Sequence, residues 1–263
     1  ASYVGHPYFD GLTERELDEP FVERMKALEA EGPLVAILPG SRTQELKRNL
    51  PIMIRAAVKL AANRPRTRFA IACLHDRHKA MAEEILQEGL AGLDAKTRPA
   101  ITIESARTPE LIRLAKVAWA VSGSVSLELM MEALPTVILY KLNKIDLWIA
   151  RPFIKAKFIT LVNLLADAEL MPEFLTSRDV SDEMAAQAAN WLDDPIAYAR
   201  ATSNLAALRL RVAVPGASHR AAERIIEWLD RHAQPSTPLK HELRGPHSPL
   251  VSDALETNPP TLL

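Results

Sequence analysis

The sequence contains a single cysteine, Cys73, among its 263 residues, so it cannot form an internal disulfide. Cys73 lies inside the apolar run 69–74, which is typical of a packed thiol in a reducing compartment. With one cysteine and no histidines at metal-ligand spacing, the sequence argues against a Cys/His metal site. His6 and His75 are therefore interpreted as structural residues.

Long apolar runs and an excess of one charge are missing as well. No stretch of about 18 consecutive apolar residues occurs, and the first residues do not form a signal-peptide pattern. These absences indicate a chain that neither spans a membrane nor is exported. A formal net charge of -1 provides no general attraction to nucleic acid, so no nucleic-acid partner is expected.

What the sequence does contain is an alternation of short apolar runs with helical patterns. The predicted strands are 34–38, 69–74, 101–103, 117–121, 136–140 and 158–162. The longest helical pattern covers residues 44–63, where Pro51 either kinks one helix or opens a second. This alternation predicts an α/β fold, a parallel sheet covered on both faces by helices.

The last third of the sequence contains no further predicted strand. Beyond residue 162 the pattern is helical as far as residue 230, with a break at Pro215-Gly216. Ser218 is predicted as the N-cap of the final helix. From Pro235 onward, six prolines in a 29-residue stretch without periodicity predict a disordered tail.

The first candidate site is Pro39-Gly40-Ser41-Arg42, between a predicted strand and a predicted helix. Such a turn places backbone N–H groups, a hydroxyl and a guanidinium at the carboxyl edge of the sheet, which is where open α/β sheets bind ligands. Helix starts and arginine forks both favour phosphate. A plain strand-to-helix turn explains this stretch alone equally well, and it matches neither a P-loop nor a GxGxxG loop.

The second candidate site is Ser122-Gly123-Ser124, followed by Ser126 and Glu128. A structural interpretation exists, with Ser124 as N-cap and Glu128 near the positive end of the helix dipole. The functional interpretation is favoured because two hydroxyl-rich loops occur in the order that brings both to one sheet edge. There Glu128 is suited to accept hydrogen bonds from ribose hydroxyls.

Two later stretches are more ambiguous. Residues 141–157 interleave basic with apolar and aromatic residues, which fits a helix on an anionic membrane surface or a core helix with a solvated basic face. Asn163 is predicted as an N-cap after a strand and as a ligand contact. Glu169 and Glu173 carry no mark of an acid/base pair and are interpreted as surface or capping residues.

Taken together, these stretches resemble the lipid-A-disaccharide synthase family, inverting glycosyltransferases of the GT-B type. The stretches that carry the resemblance are YVGHPYFD at 3–10, LPGSRTQELKRNLP at 38–51, SGSVSLE at 122–128, VNLLADAELMPEFL at 162–175 and PGASHRAAERII ending at 226. The family usually has Thr-Ala-Thr where this sequence has Ser124-Val125-Ser126, a departure that keeps both hydroxyls.

The resemblance implies an activity and a role for each candidate residue. Such enzymes join UDP-2,3-diacylglucosamine to 2,3-diacylglucosamine 1-phosphate (lipid X) and release UDP, without a cofactor or metal. They have two Rossmann-like domains that face each other across a cleft. By position, the diphosphate is contacted by Gly40, Ser41 and Arg42, the phosphates or ribose by Ser122, Gly123, Ser124 and Ser126, the ribose by Glu128, and the donor region by Asn163.

The resemblance also implies that the sequence is the carboxyl-terminal half of such an enzyme. Residues 1–10 are then a remnant of the interdomain segment, 11–232 the UDP-sugar-binding domain with C-terminal helices, and 233–263 the tail. The catalytic base is expected in the amino-terminal domain, so this chain alone is expected to be inactive. A cytoplasmic location, peripheral on the inner membrane through residues 141–157, is expected, and a homo-oligomer is compatible with the sequence.

Two alternatives stay open at this point. One is another GT-B-like UDP-sugar enzyme, of the UDP-GlcNAc 2-epimerase or peptidoglycan glycosyltransferase type. The other is a non-catalytic module that uses the nucleotide-binding fold for binding or assembly.

Overall fold

The computed structural model describes residues 4–12, 15–143 and 157–232. Within these residues, six strands form one sheet: β1 (Leu34–Leu38), β2 (Arg68–Cys73), β3 (Ala100–Ser105), β4 (Val117–Ala120), β5 (Thr136–Lys141) and β6 (Glu173–Thr176). The helices are α1 (Tyr8–Leu12), α2 (Glu19–Ala27), α3 (Thr43–Asn63), α4 (Asp76–Gly89), α5 (Thr108–Leu114), α6 (Val125–Met131), α7 (Leu161–Ala166), α8 (Ser181–Asp193), α9 (Pro195–Val212) and α10 (Ala217–His232).

All strand pairs are parallel, and the order across the sheet is β3-β2-β1-β4-β5-β6. Strands β2 and β3 are added on one side of β1, and β4, β5 and β6 on the other side. Leu38 at the end of β1 lies opposite Ala120 at the end of β4. In doubly wound sheets the crevice at this reversal, outside the carboxyl ends of the two strands, is the usual ligand site.

Both faces of the sheet are buried, as the continuous apolar runs of the strands require. Along β1, Val35 and Ile37 belong to one core cluster, and Ala36 and Leu38 belong to the other. All five residues of this strand are buried. The fold class predicted from the sequence, a Rossmann-like parallel sheet flanked by helices, is therefore confirmed.

The helix after β1 is one continuous element despite Pro51. Proline removes one helical N–H and the bond that it would donate. The helix continues because its apolar face is buried in the core, including Leu50 and Met53. Asn49 is also buried, donating to the backbone oxygen of Glu45 at 2.8 Å and accepting from the backbone N–H of Lys141 at 3.0 Å. This amide ties the start of α3 to the end of β5.

The sixth strand lies elsewhere than predicted. The predicted strand at 158–162 is wrong, because these residues form an irregular bend and then the first residues of α7. Val162 buries its side chain from that helix, which explains the apolar run. The actual edge strand, β6, has four residues of which only Thr176 is buried. Its composition gave little signal because an edge strand with a half-exposed surface needs no continuous apolar run.

The predicted N-cap of the last helix is also wrong. α10 begins at Ala217, so Gly216 precedes it and Ser218 lies inside its first turn. The cap comes from Asp10 on α1, whose carboxylate accepts the backbone N–H groups of Gly216 at 2.7 Å, Ala217 at 3.2 Å and Ser218 at 2.8 Å. A carboxylate at a helix start satisfies free N–H groups and complements the helix dipole.

The contacts divide the chain into two units, 1–221 and 222–263. The described part of the second unit is residues 222–232, which continue α10 as a helix. Its larger apolar side chains, Ile225, Ile226, Trp228 and Leu229, are exposed. The predicted tail at 233–263 lies outside the described residues.

Candidate functional site

The two predicted loops leave neighbouring strands at the reversal of strand order. Residues 39–42 follow β1 and residues 121–124 follow β4. The backbone N–H of Val121 donates to the oxygen of Leu38 at 3.1 Å, so the strands remain paired up to the residue where the loops begin. The expectation that both loops share one edge of the sheet is confirmed.

Glycine is required in the first loop for two reasons. Gly40 has φ of +119°, a conformation that side chains disfavour. A Cβ atom at this position would also lie 2.5 Å from both Cβ and Oε2 of Glu45. The absence of a side chain therefore allows Glu45 to fold back onto the loop.

Glu45 supplies the negative charge that the first loop binds in this structure. It stands at the third position of α3, and its Oε2 accepts from the backbone N–H groups of Ser41 at 3.0 Å and Arg42 at 3.3 Å. Its Oε1 lies 3.1 Å from Nη1 of Arg42. Two of the N–H groups expected to hold an anion are therefore bonded to a carboxylate of the chain itself.

The first loop still presents two residues to solvent. The side chain of Arg42 is 81% exposed, and Ser41 is exposed as well. Sequence reasoning missed Glu45. The signal that would have found it is the glutamate three residues after the helix cap, the position from which a carboxylate reaches back to the cap's N–H.

Two of the three serines of the second loop serve its own structure. Ser122 donates its hydroxyl to the oxygen of Ile159 at 2.9 Å, which ties the loop to the segment before α7. Ser126 is buried and donates to the oxygen of Gly123 at 2.8 Å. Ser124 precedes α6, as predicted, but its side chain makes no capping bond. The exposed part of this loop is Gly123 and Ser124.

Glu128 lies on α6, and its carboxylate is held by two residues from the beginning of the chain. Tyr8 donates its hydroxyl to Oε1 at 2.6 Å, and Arg15 donates Nη1 to Oε2 at 2.6 Å. Burial, followed by the hydrogen bond to Glu128, raises the pKa of Tyr8 to about 12, so the phenol remains a proton donor at neutral pH. Sequence reasoning missed both donors because no spacing rule links residues so far apart.

Asn163 is fully buried at the third position of α7. Its Nδ2 donates to the oxygen of Met171 at 2.7 Å and to Glu173 at 2.8 Å, while its Oδ1 accepts from the backbone N–H groups of Leu170 at 2.8 Å and Met171 at 2.9 Å. Its role as an N-cap is wrong, because Thr160 occupies that position. Its contact with a donor sugar stays a prediction, and its amide is already bonded on all four sides.

Glu173 completes this network from the start of β6. Its carboxylate accepts from the backbone N–H groups of Ile159 at 2.7 Å and Thr160 at 2.8 Å, and from the Thr160 hydroxyl. Of the two interpretations given for Glu173, surface or capping, the structure supports the second. Glu169 is exposed and accepts from the backbone N–H of Glu173 at 3.4 Å.

Most of the basic segment 141–157 lies outside the described residues, which include only its two ends. Lys141 donates Nζ to the backbone oxygens of Ser177 and Arg178, and burial lowers its pKa. At the other end, Lys157 pairs with Asp167 at 3.3 Å. Both terminal cations therefore contact groups of the same chain.

Across residues 4–12, 15–143 and 157–232, no helix has the length and apolarity needed to cross a membrane. Within the same residues, no cluster of three or more histidine, cysteine, aspartate or glutamate side chains could hold a metal ion.

Solved structures with a similar fold include proteins described as bound to UDP or to a UDP-sugar. The chain is similar to the S. aureus MnaA-UDP co-structure, with a TM-score of 0.59 and 12% identity over 88% of this chain and 55% of that one. It is also similar to WaaG, described as a glycosyltransferase involved in lipopolysaccharide biosynthesis, with a TM-score of 0.53 and 14% identity over 84% of this chain and 54% of that one. At these identities the likeness concerns the fold alone.

Sequence relatives are more specific. The chain is 29% identical over 229 residues to the lipid-A-disaccharide synthase of Myxococcus xanthus strain DK1622, covering 87% of this chain and 57% of the relative. It is 31% identical over 228 residues to that of Anaeromyxobacter sp. strain K, covering 86% of this chain and 57% of the relative. The chain thus spans little more than half the length of these relatives.

A family model described as lipid-A-disaccharide synthetase (LpxB) matches residues 1–212, a stretch that includes both loops, Glu128 and the Asn163 network. A match over most of the chain shows membership, and the chain belongs to the lipid-A-disaccharide synthetase family.

Proposed function

We propose that the chain is the donor-binding half of a lipid-A-disaccharide synthase, which joins UDP-2,3-diacylglucosamine to lipid X and releases UDP. The observation that carries this proposal is the pair of Gly/Ser loops on the adjacent strands β1 and β4, at the reversal of strand order. Arg42 is exposed at one loop, and the Glu128 carboxylate stands on the helix after the other.

Each loop has a task in this proposal. The diphosphate binds beside Gly40 and Ser41, and the Arg42 guanidinium offers it a planar fork of donors. The N-terminus of α3, a helix of 21 residues, adds partial positive charge at the same place. Because negative charge accumulates on the diphosphate as UDP departs, donors fixed at this position stabilise the transition state more than the ground state.

The second loop holds the nucleoside. Gly123 and Ser124 are the exposed residues of this loop, beside which the phosphates or ribose bind in this proposal, whereas Ser122 and Ser126 hold the loop in shape through their bonds to Ile159 and Gly123. Glu128 accepts hydrogen bonds from the ribose hydroxyls. Asn163 is proposed at the donor region, where its bonded amide fixes the segment that faces the sugar.

The acceptor site and the catalytic base belong, in this proposal, to residues outside this chain. The printed names of the relatives support the activity, and the co-structure of S. aureus MnaA with UDP supports the nucleotide, since that protein shares the fold. The chain by itself then binds UDP weakly and forms no disaccharide. Detection of disaccharide from this chain alone would contradict this division of the site.

The test is the affinity of the chain for UDP, measured by titration calorimetry. Arg42→Ala is expected to weaken binding by about 1.5 to 3 kcal/mol, the value of a hydrogen bond to a charged group. Arg98→Ala is the matched control, because Arg98 is exposed and precedes β3. It therefore lies at the amino end of a strand, whereas both loops follow the carboxyl ends. No UDP binding by the unchanged chain, or equal effects of the two substitutions, would contradict the proposal.

We also propose that residues 141–157 attach the enzyme to the cytoplasmic face of the inner membrane. The basic and aromatic composition of the segment supports this, as does an acylated substrate. Sedimentation with anionic vesicles at low salt, and with zwitterionic vesicles as control, tests it. Absence of binding to anionic vesicles would contradict it.

A further inference from the structure

The carboxylate of Glu128 is held from outside its own helix. Its two donors, Tyr8 and Arg15, lie 120 and 113 positions earlier in the chain, and each binds a different oxygen at 2.6 Å. A glutamate on a helix surface has three rotatable bonds and ordinarily samples several rotamers. Two short hydrogen bonds from a remote segment confine it to one.

The contacts leave the carboxylate able to bind more. Each ionised carboxylate oxygen can accept about two hydrogen bonds, and Tyr8 and Arg15 provide one donor to each. The side chain of Glu128 is 14% exposed, so part of it remains open to solvent. Two neighbouring hydroxyls, such as those of a ribose, match the two acceptor positions that remain.

We propose that Tyr8, assisted by Arg15, is a positioning residue that fixes the Glu128 carboxylate for the ribose hydroxyls of the bound nucleotide. This inference rests on the proposed function, because it requires the ribose at Glu128. It adds a part of the chain, the segment around α1, to a site otherwise built from the loops after β1 and β4.

The surroundings of Tyr8 support a fixed donor rather than a chance contact. Tyr8 packs beside the core cluster that contains Phe9, its sequence neighbour, which is buried. Asp10, two residues on, is bonded to the start of α10. The segment is therefore held at the two residues that follow Tyr8, and the hydroxyl stays protonated at neutral pH.

The experiment measures calorimetric affinities for UDP and for a UDP analogue that lacks both ribose hydroxyls. Tyr8→Phe is expected to weaken UDP binding by about five-fold, the net value of one hydrogen bond, and to leave the analogue unchanged. Arg15→Gln, an exposed substitution, is expected to show the same pattern. In a Glu128→Ala background, Tyr8→Phe should have no further effect on UDP binding.

Tyr198→Phe is the matched control, because Tyr198 packs against the opposite core cluster. Equal weakening of UDP and analogue by Tyr8→Phe would overturn the inference, since the effect would then not pass through the ribose. Tighter UDP binding would overturn it too, because Tyr8 would then compete with the nucleotide. If the unchanged chain binds UDP and analogue equally, the inference fails while the diphosphate site stands. If it binds neither, the proposed function fails.

Discussion

Ser218 donates its backbone N–H to the carboxylate of Asp10 at 2.8 Å, although the two residues lie 208 positions apart. A second bond joins the same regions, because Arg220 donates Nε to the backbone oxygen of Val4 at 3.0 Å. The first described residues of the chain are thereby fixed to the first turn of α10. Tyr8 lies between Val4 and Asp10, so these two bonds link the position of Tyr8 to the first turn of α10.

Acid is expected to weaken this connection. The hydrogen bonds from Ser218, and then those from Gly216 and Ala217, lower the pKa of Asp10 to about 2. The pKa of an aspartate in the unfolded chain is about 3.9. Because the folded pKa is the lower one, the stabilising effect is fully present above the unfolded pKa and is lost as the pH falls through about 2.

The measurement is the melting temperature of the chain and of Asp10→Asn between neutral pH and acid. The variant keeps an acceptor oxygen but has no charge, so it should melt lower at neutral pH and approach the unchanged chain in acid. Glu84→Gln, an exposed position on α4, serves as control. A difference between Asp10→Asn and the unchanged chain that does not vary with pH would contradict the assignment.

The two loop glycines are expected to differ in their tolerance of alanine. Gly40→Ala combines a positive φ with a Cβ 2.5 Å from Glu45, and should lower the free energy of unfolding by about 2 kcal/mol or more. Gly123→Ala meets nothing within 4 Å and should change it by less than about 0.5 kcal/mol. Urea unfolding of both variants is the measurement, and equal losses would show that the first loop has another conformation.

Asn163 is expected to matter for stability whether or not it contacts the donor. Asn163→Ala leaves two backbone N–H groups, one backbone oxygen and the Glu173 carboxylate without this partner, and should cost about 3 kcal/mol of unfolding free energy. Asn204→Ala, an exposed position on α9, should cost little. Denaturant titration compares them, and a small loss for Asn163→Ala would mean that water replaces the amide.

Cys73 is expected to be unreactive in the folded chain. Burial raises the pKa of its thiol to about 11, and the residue is buried at the end of β2. Thiolate is the reactive form, so a thiol-reactive disulfide reagent at neutral pH should label the chain only in denaturant. In Leu74→Cys, whose new thiol replaces an exposed side chain, one further group should react at once. Rapid labelling of native Cys73 would contradict its burial.

The sheet could be predicted from sequence where burial on both faces produces continuous apolar runs. β1 and β4 are fully buried, and their composition identifies them directly. β6 is a half-exposed edge strand, so its residues carry no such run, while residues 158–162 carry one because they lead into α7, where Val162 is buried in the core. Apolar content reports burial, and it cannot by itself separate a strand from a short buried helix.

The position of the candidate site was predictable for a similar reason. Parallel topology brings the ends of β1 and β4 together whatever the side chains are, so loop composition was enough to find the edge. The partners of the site residues were not predictable, because the pairs Tyr8–Glu128 and Asp10–Ser218 depend on how distant segments pack. Glu45 is intermediate, since its bonds to Ser41 and Arg42 follow from local helix-start geometry.

The carboxylate of Glu45 gives the first loop a built-in counter-ion. A loop rich in donors would otherwise be mobile when empty, and ordering it would subtract from the affinity for any ligand. Here the backbone of residues 40–42 is already shaped by bonds formed during folding. In the proposed complex a nucleotide would meet a loop whose backbone is already ordered, and only the Arg42 guanidinium, now paired with Glu45, would have to turn toward it, so that most of the entropy loss precedes binding.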